Sequence, residues 1–145
     1  MRTKVYETTT FLNVDLEISS AEDLAPLAEA LGPKLRALHV GRVQRRHWAR
    51  LELRTQPKTP DGAIRRLARA IEQLPQRQRA YWKRATVRDF NVGIQAADEP
   101  DHSDFVLKPG TVTMVGKLGG RIVITVYGAA LNNTRGSEVA LTWSP

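Results

Sequence analysis

The sequence predicts an α+β domain. Three patterns carry that expectation: polar–apolar alternation over residues 12–18, apolar stripes at helical spacing beginning at Leu24 and Ile64, and an unbroken apolar run over residues 122–127. Alternation with period two marks a strand with one buried face, and apolar residues at i, i+3, i+4 and i+7 mark a helix with one buried stripe. At 145 residues the chain has the size of a single domain, long enough to bury a core but short for two. Its core is expected over about residues 10–128, with 129–145 as a tail or an edge strand.

The elements follow in order. Leu12, Val14, Leu16 and Ile18 alternate with Asn13, Asp15 and Glu17, giving the first strand. Ser19-Ser20-Ala21-Glu22 then has the spacing of a capping box, in which a Ser and a Glu satisfy each other's backbone amides at a helix start. Leu24, Leu27, Ala28 and Leu31 form the stripe of that helix, and Gly32-Pro33 closes it, Gly through a left-handed cap and Pro by steric exclusion. Strands are expected at about 35–40 and 47–54, joined by the polar stretch 41–46, with Ala49, Leu51 and Leu53 facing one way and Trp48, Arg50, Glu52 and Arg54 the other.

Thr59 and Pro60 read as the N-cap and first turn of a second helix. Its stripe is Ile64, Leu67, Ala68, Ile71 and Leu74, which turns Arg65, Arg66 and Arg69 outward. Pro75 breaks it, and residues 76–84 continue as a separate helical segment. Residues 86–96 return to strand through Phe90, Val92 and Ile94, the acidic stretch 97–103 is a loop, and Pro109 opens a short helix on Val112, Val115 and Leu118 that Gly119-Gly120 ends. The run at 122–127 is apolar on both sides, the pattern of a central strand covered on two faces. A turn at Asn132-Asn133 and alternation of Val139, Leu141 and Trp143 give the tail its strand-like character. The first six elements run βαββαβ, the order of a ferredoxin-like sandwich, here extended by a further helix and strand.

Several segments resemble a family of small bacterial proteins of unknown function. They are Leu16-Glu17-Ile18-Ser19-Ser20-Ala21-Glu22-Asp23-Leu24-Ala25-Pro26, Trp48 with Leu51-Glu52-Leu53, Phe105-Val106-Leu107, and Leu118-Gly119 with the strand 122–127. The resemblance spans most of residues 11–127. It implies the α+β fold and a setting among immunity-type and defence-associated proteins, and it implies no particular chemistry. The strongly basic middle of the chain departs from what a typical immunity protein against a basic nuclease would carry.

Composition narrows the function classes. With no cysteine, a disulfide scaffold, a Cys-ligated metal centre and a thiol nucleophile are excluded. Residues 1–7 lead into no apolar segment, and no stretch is long and apolar enough for a membrane span, so a cytoplasmic protein without membrane contact is expected. His39, His47 and His102 are scattered without metal-ligand spacing, and the acidic loop from Asp98 to Asp104 lacks the spacing and central Gly of a calcium site. Gly116-Lys117-Leu118-Gly119-Gly120 stands at a helix end, where the backbone repels phosphate, so no nucleotide cofactor is expected. No serine lies in a nucleophile elbow. Asp15 and Glu17 share a strand face but read as solvent-exposed, and no enzyme activity is expected.

The net charge of +7 is uneven. Residues 34–88 hold 16 basic and three acidic residues, a net of +13, and the remainder hold six basic and twelve acidic, a net of −6. Part of that positive charge is expected to pair with the chain's own carboxylates. The rest points to an anionic partner. The candidate contacts are Arg42, Arg45 and Arg46 in a loop, Arg65, Arg66 and Arg69 on a helix face, and Arg77, Arg79, Lys83 and Arg84 with Tyr81 and Trp82 between them. An acidic protein, or self-association, is the expected partner. DNA or RNA is the alternative, since Arg with aromatic side chains is the pairing that grips single strands. Tyr81 and Trp82 are adjacent, however, so on a helix they diverge and at least one is expected in the core.

Overall fold

The computed structural model describes residues 8–129, so the expected turn and strand in 130–145 lie outside the described residues. The elements are β1 (Thr10–Ser20), α1 (Ala25–Leu31), β2 (Leu35–Val43), β3 (Arg46–Leu53), α2 (Pro60–Glu72), α3 (Gln76–Arg84), β4 (Val87–Gln95), α4 (Pro109–Lys117) and β5 (Arg121–Tyr127). The five strands form one sheet in the order β2-β3-β1-β4-β5. The first three neighbouring pairs are antiparallel, and β5 lies parallel to β4.

β1 sits at the centre because it pairs on both sides, Leu16 standing opposite Leu51 of β3 and Phe90 of β4. Its Val14, Leu16 and Ile18 are fully buried and join Ala49, Leu51, Phe90, Val92 and Ile94 on one side of the sheet. Leu27, Ile64, Leu67, Ile71, Trp82 and Val115 from all four helices complete the same cluster. The other side of the sheet is polar. It carries Asn13, Asp15 and Glu17 of β1 in register with Glu52 and Arg50 of β3 and with Asn91 and Asp89 of β4.

Helix α2 forms as its sequence dictates. The Thr59 hydroxyl accepts a hydrogen bond from the Gly62 amide at 3.1 Å, Pro60 occupies the first turn, and the whole expected stripe is buried. Asp61 in that first turn accepts from the Lys108 amide at 2.8 Å, tying the start of α2 to the start of α4. Trp82 is 1% exposed. Its indole N–H donates to the Leu118 carbonyl at 2.9 Å, and its ring meets Phe90 edge-on at 6.2 Å. Gly119 ends α4 in the left-handed region at φ +70, and a methyl group at Gly120 would stand 2.7 Å from the Phe90 ring.

Five local expectations are corrected. The capping box does not form: Ser19 and Ser20 remain in β1 opposite Trp48 and His47, and α1 starts only at Ala25. Two flanking strands satisfy the backbone there, which a local cap cannot match. Gly32 stays right-handed at φ −53, so Pro33 is what stops α1. The turn between β2 and β3 centres on Gln44, at φ 56, while Gly41 lies inside β2 opposite Trp48. Val112 faces out and Thr111 fills the buried position of α4. Finally, β5 is an edge strand, with Ile124 and Val126 more than half exposed, because α4 covers only its beginning at Ile122.

Removing the Trp82 ring leaves a large void under α3 and α4. Trp82→Ala is expected to cost about 3–5 kcal/mol in chemical denaturation. Trp82→Phe keeps most of the volume but strands the Leu118 carbonyl, for a loss of about 1–3 kcal/mol.

Candidate anion-binding site

The hairpin register organises the basic residues into two groups. Leu35 stands opposite Leu53 at one end of β2–β3, and Val43 opposite Arg46 at the other. Seven residue steps at about 3.3 Å each separate the two ends by roughly 23 Å.

At the turn end, Arg42 belongs to β2, Arg46 to β3, and only Arg45 lies in the turn itself, so the expected loop is mostly strand. Arg42 and Arg45 are exposed. Arg46 is tied down, its Nε donating to the Ser19 hydroxyl at 3.0 Å and its Nη2 to the Thr86 hydroxyl. Arg84 is engaged too: its Nε and Nη2 donate to the Glu22 carboxylate, and its guanidinium lies 5.1 Å from the centre of the Tyr81 ring. That hydrogen bond holds the Glu22 carboxyl below its usual range. The start of α3 lies away from the turn: Arg79 donates to the Glu72 carbonyl at 3.4 Å, one residue from Gln73, while Arg77 and Lys83 are exposed. Trp82, being buried, is a packing residue and does not reach the surface.

At the opposite end, α2 crosses the mouth of the hairpin and a cleft of about 330 Å³ opens between them. Its walls carry Arg66 and Arg69 of α2, Arg54 just after β3, and Lys34 just before β2. The Arg54 guanidinium is held by Nε and Nη2, both donating to the Gly32 carbonyl at 3.0 and 2.8 Å. The Lys34 ammonium donates to the Gln73 side-chain oxygen, a neutral acceptor. Among the described residues no carboxylate lines the cleft. Arg65 lies to the side, close enough to Asp61 to stabilise its charge.

The structure thus brings Arg66 and Arg69 together but holds Arg42, Arg45 and Arg46 apart from them. Lys34 and Arg54 were not among the expected contacts. The signal for them was the pairing of two adjacent strands, which sets the Arg54 amide against the Lys34 carbonyl at 3.2 Å. Nor did the expected internal neutralisation arise on the scale of the charge. Among the described residues, Arg84–Glu22 is the only salt bridge joining the basic middle to the acidic remainder, with Arg36–Glu52 inside the middle and Arg121–Asp89 outside it.

The polar side of the sheet, which the sequence pattern presents as exposed surface, is not plain. Asp15 is half-buried, and desolvation pushes its carboxyl up to about 6, opposed by Arg50 and reinforced by Glu52 and Glu17. Asn13 donates to it at 2.9 Å and Asn91 donates to Glu17 at 3.3 Å. No family model matches the chain, and neither does a curated protein or a solved structure.

A carboxyl whose folded value lies above its unfolded one holds its proton more tightly in the native state, so stability falls as pH rises from about 4 through about 6. Asp15→Asn is therefore expected to raise the melting temperature at pH 7.5 and to leave it unchanged below pH 4. Melting curves across that range check it, and an equal gain at both extremes would remove the electrostatic explanation.

Proposed function

We propose that the protein is a non-catalytic interaction module whose cationic surface binds an acidic protein. The observation that carries this reading is the scarcity of internal pairing: of the ten candidate cations, Arg84 alone makes a salt bridge among the described residues. Exposed positive charge at this density favours encounter with an anionic partner. The setting is the bacterial cytoplasm, among toxin, phage or defence proteins, and support for it comes from the resemblance of the first strand–helix segment and the Trp48 strand to the small bacterial family.

A protein suits this surface better than a nucleic acid does. Beside Arg42, the edge strand β2 exposes Leu38, Val40 and Val43, and an unpaired edge with apolar side chains accepts an extended peptide through its backbone. The aromatic platform that single strands need is compromised, with Trp82 in the core and Tyr81 already stacked against Arg84. Self-association through the same edge would set a strand bearing Arg36 and Arg42 against another with the same charges, which like-charge repulsion opposes. As for architecture, we propose that β1 to β4 with α1 and α2 form a ferredoxin-like unit carrying α4 and β5 as an addition. The antiparallel order β2-β3-β1-β4 supports it.

Affinity purification from the native host, followed by titration with the purified acidic partner, tests the reading. Arg42→Glu with Arg45→Glu is expected to weaken that complex by about tenfold or more, chiefly through slower association. Mobility shifts with single- and double-stranded DNA and RNA at about 50 mM salt are expected to show no retention. Retention that falls by about 0.7–0.9 log units per log unit of salt for each phosphate contacted would overturn the protein reading in favour of nucleic acid.

A further inference from the structure

The cleft at the open end of the hairpin is built differently from the rest of the basic surface. Three separate segments deliver Lys34, Arg54, Arg66 and Arg69 to one concavity, and among the described residues no carboxylate lines it. Arg66 and Arg69 stand three residues apart on α2, where side chains are neighbours and like charges repel. Among the described residues neither makes a salt bridge or a side-chain hydrogen bond to relieve that repulsion. Four converging cations raise the local potential well above that of dispersed surface charge, and a bound anion would discharge it.

We infer that this cleft is a binding site for a compact organic phosphate. Arginine forks match phosphate oxygens two at a time, and a fork already fixed in orientation loses less freedom on binding. In Arg54 the Gly32 carbonyl holds the Nε–Nη2 edge, which sets the plane of the guanidinium and leaves its Nη1–Nη2 edge for phosphate. A single carboxylate would offset only one of the four charges, whereas a phosphate monoester or diphosphate offsets two or three. The volume of about 330 Å³ lies at the small end of the roughly 300–1,000 Å³ typical of small-molecule pockets. Pro33 and Leu53 give the cleft an apolar wall. Beyond Lys34 and Gln73, a further hollow of about 110 Å³ is lined by Leu31, Ala70 and Leu74. Phosphate at the cations and an organic moiety against Leu53 or in that hollow would use both kinds of surface.

This site lies apart from Arg42 and Arg45, whose variants test the protein partner, so the two readings are tested separately. Calorimetric titration of the full chain with ADP and with pyrophosphate at about 100 mM salt tests it. One-to-one binding of both is expected, with ADP the tighter. The double variant Arg66→Ala/Arg69→Ala is expected to weaken binding by about tenfold or more, and Thr55→Glu, which sets a carboxylate at the rim, to do the same without removing any cation. Arg42→Ala/Arg45→Ala should leave the affinity within about twofold. No heat with either probe up to about 1 mM overturns the proposal, as does equal weakening by the Arg42/Arg45 variant. Preference for a 20-nucleotide strand over ADP, lost in the Arg66/Arg69 variant, overturns it in favour of a polymer.

Discussion

Every other feature of the molecule depends on β1 being paired on both of its edges. Its residues from Asp15 to Ser19 face β3 on one side and β4 on the other, so its backbone is satisfied along that whole length without water. Backbone groups in that position are bound to neighbouring strands or left orphaned at a cost of several kcal/mol each. That double pairing fixes which side chains point at the helices. A slip of one residue would drive Asp15 and Glu17 into the core and expel Leu16, and the core could not form. The hairpin register, the seat of α2 and the placing of both basic groups all follow from this strand.

What could be seen in the sequence was what is decided locally. Helix α2 was legible from end to end, because Thr59, Pro60 and the stripe from Ile64 to Leu74 act within a few residues of one another. The alternation in β1, β3 and β4 was legible for the same reason. The start of α1 was not, since Ser19 and Ser20 carry a plausible local cap that two long-range ladders override. Nor was the position of β5: an apolar run reports hydrophobicity, not whether a neighbour exists, and Ile124 and Val126 lie beyond the reach of α4.

The candidate site divides along the same line. Arg66 and Arg69 were singled out correctly as outward residues of a helix. Their companions Lys34 and Arg54 lie 20 positions apart and meet only because Leu35 pairs with Leu53. The sequence could count sixteen basic residues in the middle of the chain, but it could not show that four of them, Lys34, Arg54, Arg66 and Arg69, meet in one cleft away from Arg42 and Arg45. Tyr81 and Trp82, by contrast, were legible locally, the step of about 100° between adjacent helical residues sending Trp82 into the core and leaving Tyr81 at its edge. On the opposite side of the sheet, the environment of Asp15 is a sum over Arg50, Glu52 and Glu17 from two strands, which no single-strand pattern contains.

The pairing of Thr10 with Gln95 and of Ser19 with Val87 also has a bearing on how the chain reaches its fold. β3 follows β1 after α1 and β2, whereas β4 is made only once α2 and α3 have followed as well. During synthesis one edge of β1 is closed early and the other stays open until the Trp82 helix has emerged. Contacts of such long sequence separation slow folding and prolong the exposure of an unpaired strand. On a strand left waiting in this way, the charges of Asp15 and Glu17 would discourage pairing with the wrong neighbour.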